Sequence, residues 1–262
     1  MAARDACRQL RARLAAHAAK VWSGSAAAVR PDEVKFANGR VFAGEDAAGA
    51  HSMAFSELAH KAWFARISLS AQGFYATPKI NWNRAELKGR PFYYFAYGVA
   101  CTQVAVDTLT GEMKIERADI LHDAGSSINP ALDIGQVEGG FVQGAGWLTS
   151  EELWWDAKGR LATHAPSTYK IPTAADIPEI FNVKLVEQRP NLEETIYRSK
   201  AVGEPPLMLA LSVYHAIRDA VASVADYKTA PQLDAPATPE AVLNSVDAIR
   251  GAPTNDQAEI PA

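Results

Sequence analysis

The chain has 262 residues, of which 48% are hydrophobic, 21% charged and 9% aromatic, a balance that suits one large core or two smaller ones. With 26 Lys and Arg against 30 Asp and Glu the formal net charge is -4, and the cations form no stripe able to neutralise several phosphates, which argues against nucleic acid as a partner. Cys7 and Cys101 make neither a disulfide framework nor an iron–sulfur ligand set, no run approaches about 20 apolar residues, and no secretory leader is visible, so no membrane span and a reducing, cytoplasmic setting are expected.

Residues 1–21 are rich in Ala, Arg and Leu, and Leu10, Leu14 and Ala18 at helical spacing predict an amphipathic helix. Neither a cap nor a strand precedes it, so the chain is expected to begin inside a domain, as an excised piece or a split subunit of something longer. Residues 35–42 alternate around Asn38-Gly39, which predicts a tight hairpin. Helical period returns over 55–65, and 66–75 alternates as a half-buried strand. From 91 to 107 an aromatic and β-branched run predicts a long strand, which Thr110-Gly111 turns back onto a partner at 113–121. After the turn chemistry of 123–130, a helix is predicted over 131–147. It carries Gly135, Gly139, Gly140, Gly144 and Gly146. Each interior glycine costs about 1 kcal/mol against alanine, so something must require that bare surface.

Further strands are predicted at 151–155, 168–171 and 181–187, a mostly buried helix over 207–224 with Pro205 and Pro206 at its first turn, and a last helix near 239–250. The fold class expected is α+β: an antiparallel or mixed sheet with long hairpins and packed helices. Its division is expected as 1–126, 127–250 and a flexible tail, 251–262.

The six histidines, His17, His51, His60, His122, His164 and His215, show no metal-ligand spacing, and no metal held by protein side chains is expected. Phosphate loops, dinucleotide fingerprints and nucleophile elbows are missing too. Two segments stand out. In 135–146 small residues recur three and four apart, so either a neighbouring backbone packs closely there or a flat ligand approaches. Gln136, read at the helix's first turn, would add an amide donor and acceptor beside free N–H groups. In Lys200-Ala-Val-Gly-Glu-Pro-Pro206 a lone carboxylate, Glu204, is held between glycine and two prolines. It reads either as a charged helix cap or as a preorganised general base, its pKa lowered by the helix dipole and raised by burial. Lys200 reads as a solvated charge.

Those two segments, with 92–98 (Phe-Tyr-Tyr-Phe-Ala-Tyr-Gly), 123–130 (Asp-Ala-Gly-Ser-Ser-Ile-Asn-Pro) and 166–172 (Pro-Ser-Thr-Tyr-Lys-Ile-Pro), resemble in order and spacing the C-terminal part of the molybdenum-binding subunit of the molybdenum hydroxylases. This family includes xanthine dehydrogenases and aldehyde oxidases, and the resemblance, which runs from about Ala2 to Arg250, looks closest to the bacterial xanthine dehydrogenases. It implies a molybdopterin whose metal is held through the pterin. It implies that Glu204 is the general base in hydroxylation of an electron-poor carbon. Gln136 would hydrogen-bond the cofactor together with Gly135, and Ala201, Val202 and Gly203, preceded by Ser199 and Lys200, would form the loop that carries Glu204. The family's subunit is far longer, so the remainder of the molybdenum subunit and an iron–sulfur/FAD subunit (FAD and 2Fe-2S) are implied partners, with a purine, xanthine or hypoxanthine, as substrate. The alternatives are an aldehyde oxidase-like component and a non-catalytic assembly module that keeps the fold.

Overall fold

The computed structural model describes residues 1–23, 29–45, 47 and 49–251; all but the first residue of the expected tail lies outside the described residues. The chain divides into two compact units, Met1–Tyr93 and Tyr94–Ala262. The boundary expected at 126/127 therefore falls inside the second unit, because the strands before it and the helices after it share one hydrophobic core.

In the first unit, α1 (Ala2–Trp22) buries Leu14, Ala15, Ala18, Ala19 and Trp22. They pack in one core with residues of β1 (Val34–Ala37), β2 (Arg40–Ala43) and β3 (Ser52–Ala54), an antiparallel sheet in that order, and of α2 (Phe55–Phe64). Asn38 and Gly39 take φ of 49° and 72° and close the β1–β2 hairpin, as their pairing predicts. The strand expected over 66–75 does not form. No strand among the described residues pairs with it; instead Arg13 of α1 donates to the Ser68 and Ser70 carbonyls at 2.5 and 2.9 Å, and Gln9 to the Gln72 carbonyl at 3.0 Å. The alternation there comes from serines that bond locally and not from a pleat. A small pair, β4 (Asn81–Asn83) and β5 (Lys88–Arg90), follows.

In the second unit β6 (Gly98–Val106) runs antiparallel to β7 (Met113–His122), with a bulge between Gln103 and Val104. The aromatic stretch before Gly98 stays outside the strand, and Phe92, Phe95 and Tyr97 are exposed. The cause is length: Gly98 already pairs with the last residue of β7, His122. Helix α3 (Pro130–Leu148) begins at Asn129, whose side chain accepts the Leu132 N–H. It leads by a crossover to β8 (Ile180–Leu185), which lies parallel to β7. Strands expected at 151–155 and 168–171 are replaced by turns, with only a Trp155–Leu161 bridge, since Asp156 and Thr168 tie the backbone locally. The helix expected from 207 is in two parts, a 3₁₀ turn Pro205–Ala210 that the prolines impose and α4 (Leu211–Ser223). Helix α5 (Pro239–Arg250) is capped by the Thr238 side chain and ends at left-handed Gly251, φ 77°. Phe141, Val137, Ala118, Ile120, Val213, Ile217, Val221, Val242 and Val246 form the core, with α3 and α4 against the sheet. Among the described residues no helix is long and apolar enough to cross a membrane.

Candidate functional site

The site is built on the turn that ends β7. Asp123 Oδ1 accepts the Gly125 N–H at 2.8 Å, and Gly125 takes φ 64°. A Cβ at Gly125 would stand 2.5 Å from the Arg198 carbonyl oxygen, so only glycine admits the second segment at this distance. That segment, 198–201, lies along the turn: Ser126 N–H donates to Arg198 O at 3.0 Å and Lys200 N–H to Ala124 O at 2.8 Å. Buried Asn191 and half-buried Thr195 hold its other side, donating to the Ser199 carbonyl at 3.2 and 2.6 Å.

Lys200 is not a solvated charge. Its side chain is 8% exposed, and Nζ lies 2.6 Å from Asp123 Oδ2 and 5.1 Å from the Tyr97 ring centroid. Its partner stands 77 residues away in sequence, which is why the local pattern of 200–206 could not reveal it. Beyond it, Ala201 N–H donates to the Tyr94 hydroxyl at 3.0 Å and Val202 is buried. Glu204 follows Gly203 and precedes the 3₁₀ turn. Its side chain makes no capping hydrogen bond and it is exposed in this chain, so neither the cap nor the burial expected of it is present.

Gln136 lies in the second turn of α3, since the helix starts at Pro130. The argument from free N–H groups at the first turn therefore does not apply to it; what it offers is its own side-chain amide. That amide is brought to the Glu204 loop: a Cβ at Gly203 would stand 3.7 Å from Gln136 Oε1. The glycines of α3 separate into two sets. Gly140, Gly144 and Gly146 answer to packing, with Cβ positions 3.0 Å from Pro206 Cβ, 2.5 Å from Leu207 O and 2.5 Å from Pro172 Cδ. Gly135 and Gly139, flanking Gln136, have nothing within 4 Å of theirs. The packing and open-surface readings of this helix thus each hold for part of it.

His122 carries no sequence signal of a site residue, although alternation with Ala118 and Ile120 places it on the inner face of β7. It is 1% exposed, and among the described residues neither ring nitrogen has a hydrogen-bond partner. Burial pushes its pKa below the ordinary 6.5, Lys200 pushes the same way, and Asp123 and Asp133 oppose. The folded chain therefore keeps a neutral ring where the unfolded chain takes up a proton, and stability is lost as pH falls from above 6.5 toward the lower folded value. We expect His122→Leu to flatten the decline in melting temperature between about pH 7.5 and 5.5; parallel curves for both proteins would refute this.

The arrangement leaves the face of α3 around Gln136 bare. Gln136 presents an amide between glycines whose Cβ positions are empty, a surface that a ring system reaches without a clash. Among the described residues no group of three or more His, Cys, Asp or Glu is placed to hold a metal ion. The family described as molybdopterin cofactor-binding domain matches residues 1–178, which gives the class of protein that this fold and surface define. Xanthine dehydrogenase/oxidase of Felis catus is 52% identical over 190 residues, covering 70% of this chain and 14% of the relative; that of Gallus gallus is 53% identical over 182 residues, covering 68% and 13%. The structure of quinoline 2-oxidoreductase from Pseudomonas putida 86 superposes with a TM-score of 0.57 at 23% identity, over 92% of this chain and 28% of that one, and shares the fold. The chain belongs to the xanthine dehydrogenase family of molybdenum hydroxylases and is a molybdopterin-binding part of such a protein. It spans about a seventh of the length of these curated relatives and covers both candidate segments, Gln136 and Glu204, on one described unit.

Proposed function

We propose that this chain is a component of a molybdenum hydroxylase that hydroxylates xanthine or hypoxanthine, with Glu204 as the general base. When bound, the molybdopterin supplies the two-electron oxidation of the carbon that is hydroxylated. The chain's part is to bind and to move a proton. Gln136 and Gly135 on α3 hold the cofactor, Ala201, Val202 and Gly203 carry Glu204 beside it, and the Glu204 carboxylate accepts a proton. The observation that carries this reading is the meeting of Gln136 with Gly203 next to two glycines that nothing in the chain's own packing requires. Glu204, exposed here, would be covered by the remainder of the molybdenum subunit, and FAD and 2Fe-2S centres on other domains or subunits would take the electrons. The chain alone would be inactive. A reducing, cytoplasmic setting agrees with two free, exposed cysteines, Cys7 and Cys101.

The test is purification of this polypeptide from its native cells, with partner masses and the molybdenum-to-protein ratio read from one sample. Near-stoichiometric molybdenum together with a longer polypeptide, joined or separate, is the expected result. A chain found alone and free of molybdenum would overturn the reading in favour of an assembly module.

A further inference from the structure

We propose that the buried Lys200–Asp123 pair is a positioning device that sets the direction in which Glu204 leaves the fold, an inference that rests on the reading of Glu204 as the base. A buried ion pair adds little stability over apolar residues of the same volume, because desolvation offsets the attraction. Its use here is geometric. Asp123 is fixed at the end of β7: its N–H donates to the Tyr97 carbonyl at 2.8 Å, its Oδ1 accepts from Gly125, and its Oδ2 faces Lys200 Nζ at 2.6 Å. Lys200 is held at both ends, by that carboxylate and by its backbone bond to Ala124, with the Tyr97 ring beneath the ammonium. The next residue is tied to Tyr94, Val202 is buried, and Pro205 and Pro206 stiffen the other side. Glu204 makes no capping bond of its own, so its approach is determined by these anchors on Lys200, Ala201 and Val202. The pair thereby links the rigid sheet to a residue four positions before the proposed base.

The inference is tested in the complete molybdenum hydroxylase that contains this sequence, with K200M, the double variant D123N/K200M, which leaves no unpaired buried charge, and K200R, which keeps the cation. Turnover of xanthine, its KM, molybdenum content and hydrogen exchange of the 199–204 backbone are measured together. The double variant is expected to lose about 10- to 100-fold in kcat at unchanged KM and molybdenum content, the size of effect that misplacing a reacting group produces. Exchange over 199–204 should rise while that of β6 and β7 stays constant, and K200R should recover most of kcat. A double variant with wild-type kcat, or one whose kcat falls only in step with its molybdenum content, would overturn the assignment. Glu204→Gln in the same enzyme separates the two readings. If turnover survives that change, the base reading fails, while the exchange measurement still reports whether the pair holds the loop.

Discussion

Turnover of the assembled enzyme is expected to fall by about 10²–10⁴-fold when Glu204 becomes Gln, the contribution typical of a positioned general base. Glutamine has the same length and shape and keeps hydrogen-bonding capacity, but it cannot accept a proton at neutral pH. The change should cost the fold almost nothing, because the side chain is exposed and makes no capping bond. The backbone before it is held independently, through Lys200, Ala201 and Val202. Gln136, the amide proposed to hold the cofactor, is untouched. Molybdenum content should therefore equal that of the wild type, and steady-state rates together with metal analysis give the answer. Wild-type rates in a fully loaded Glu204→Gln enzyme would end the assignment.

The largest effect on stability is expected from Phe141→Ala, about 3–5 kcal/mol, the range for truncating a fully buried aromatic side chain. Phe141 is 0% exposed and its ring centroid lies 5.5 Å from that of Phe181 on β8. Its neighbours one turn away, Val137 and Ala145, are also buried. The truncation therefore opens a hole between α3 and the sheet that helix and strand cannot close without moving the glycines packed on Pro205–Ala210. Denaturant unfolding of the chain measures it; a loss under about 1 kcal/mol would mean that the core sits elsewhere.

The elements whose signals are local were legible in the sequence. Asn38-Gly39 specifies its turn by backbone geometry alone, and α1, α2, α3 and α5 follow their apolar period to within a residue or two. Alternation misled where it had no neighbour: a pleat at 66–75 needs a partner strand, and that information lies in the tertiary fold. The beginning of β6 failed for the same reason, since β7 runs out at His122. For the site, composition singled out both segments, but the environment of each residue depended on remote contacts. Lys200 is buried by a carboxylate across the fold, Glu204 is open, and Gln136 stands one turn further into α3 than the first-turn reading puts it, although the predicted start at 131 is one residue from Pro130. Nothing in 135–146 distinguishes the glycines that pack from those that do not, because the residues that decide it, Pro172, Pro206 and Leu207, lie elsewhere in the chain.

Parallel pairing of β8 with β7 also governs the order in which the second unit can assemble. The β6–β7 hairpin needs only the short turn around Gly111, whereas β8 cannot dock until the crossover through α3 has closed, at a larger entropic cost. The bond from Val186 N–H to the His122 carbonyl continues that pairing, and the laying of 198–201 along Asp123–Gly125 closes a longer loop still. Gln136 meets the Gly203 loop across a comparable separation in sequence, so the candidate site, like the sheet, draws on contacts that are costly to close and slow to form.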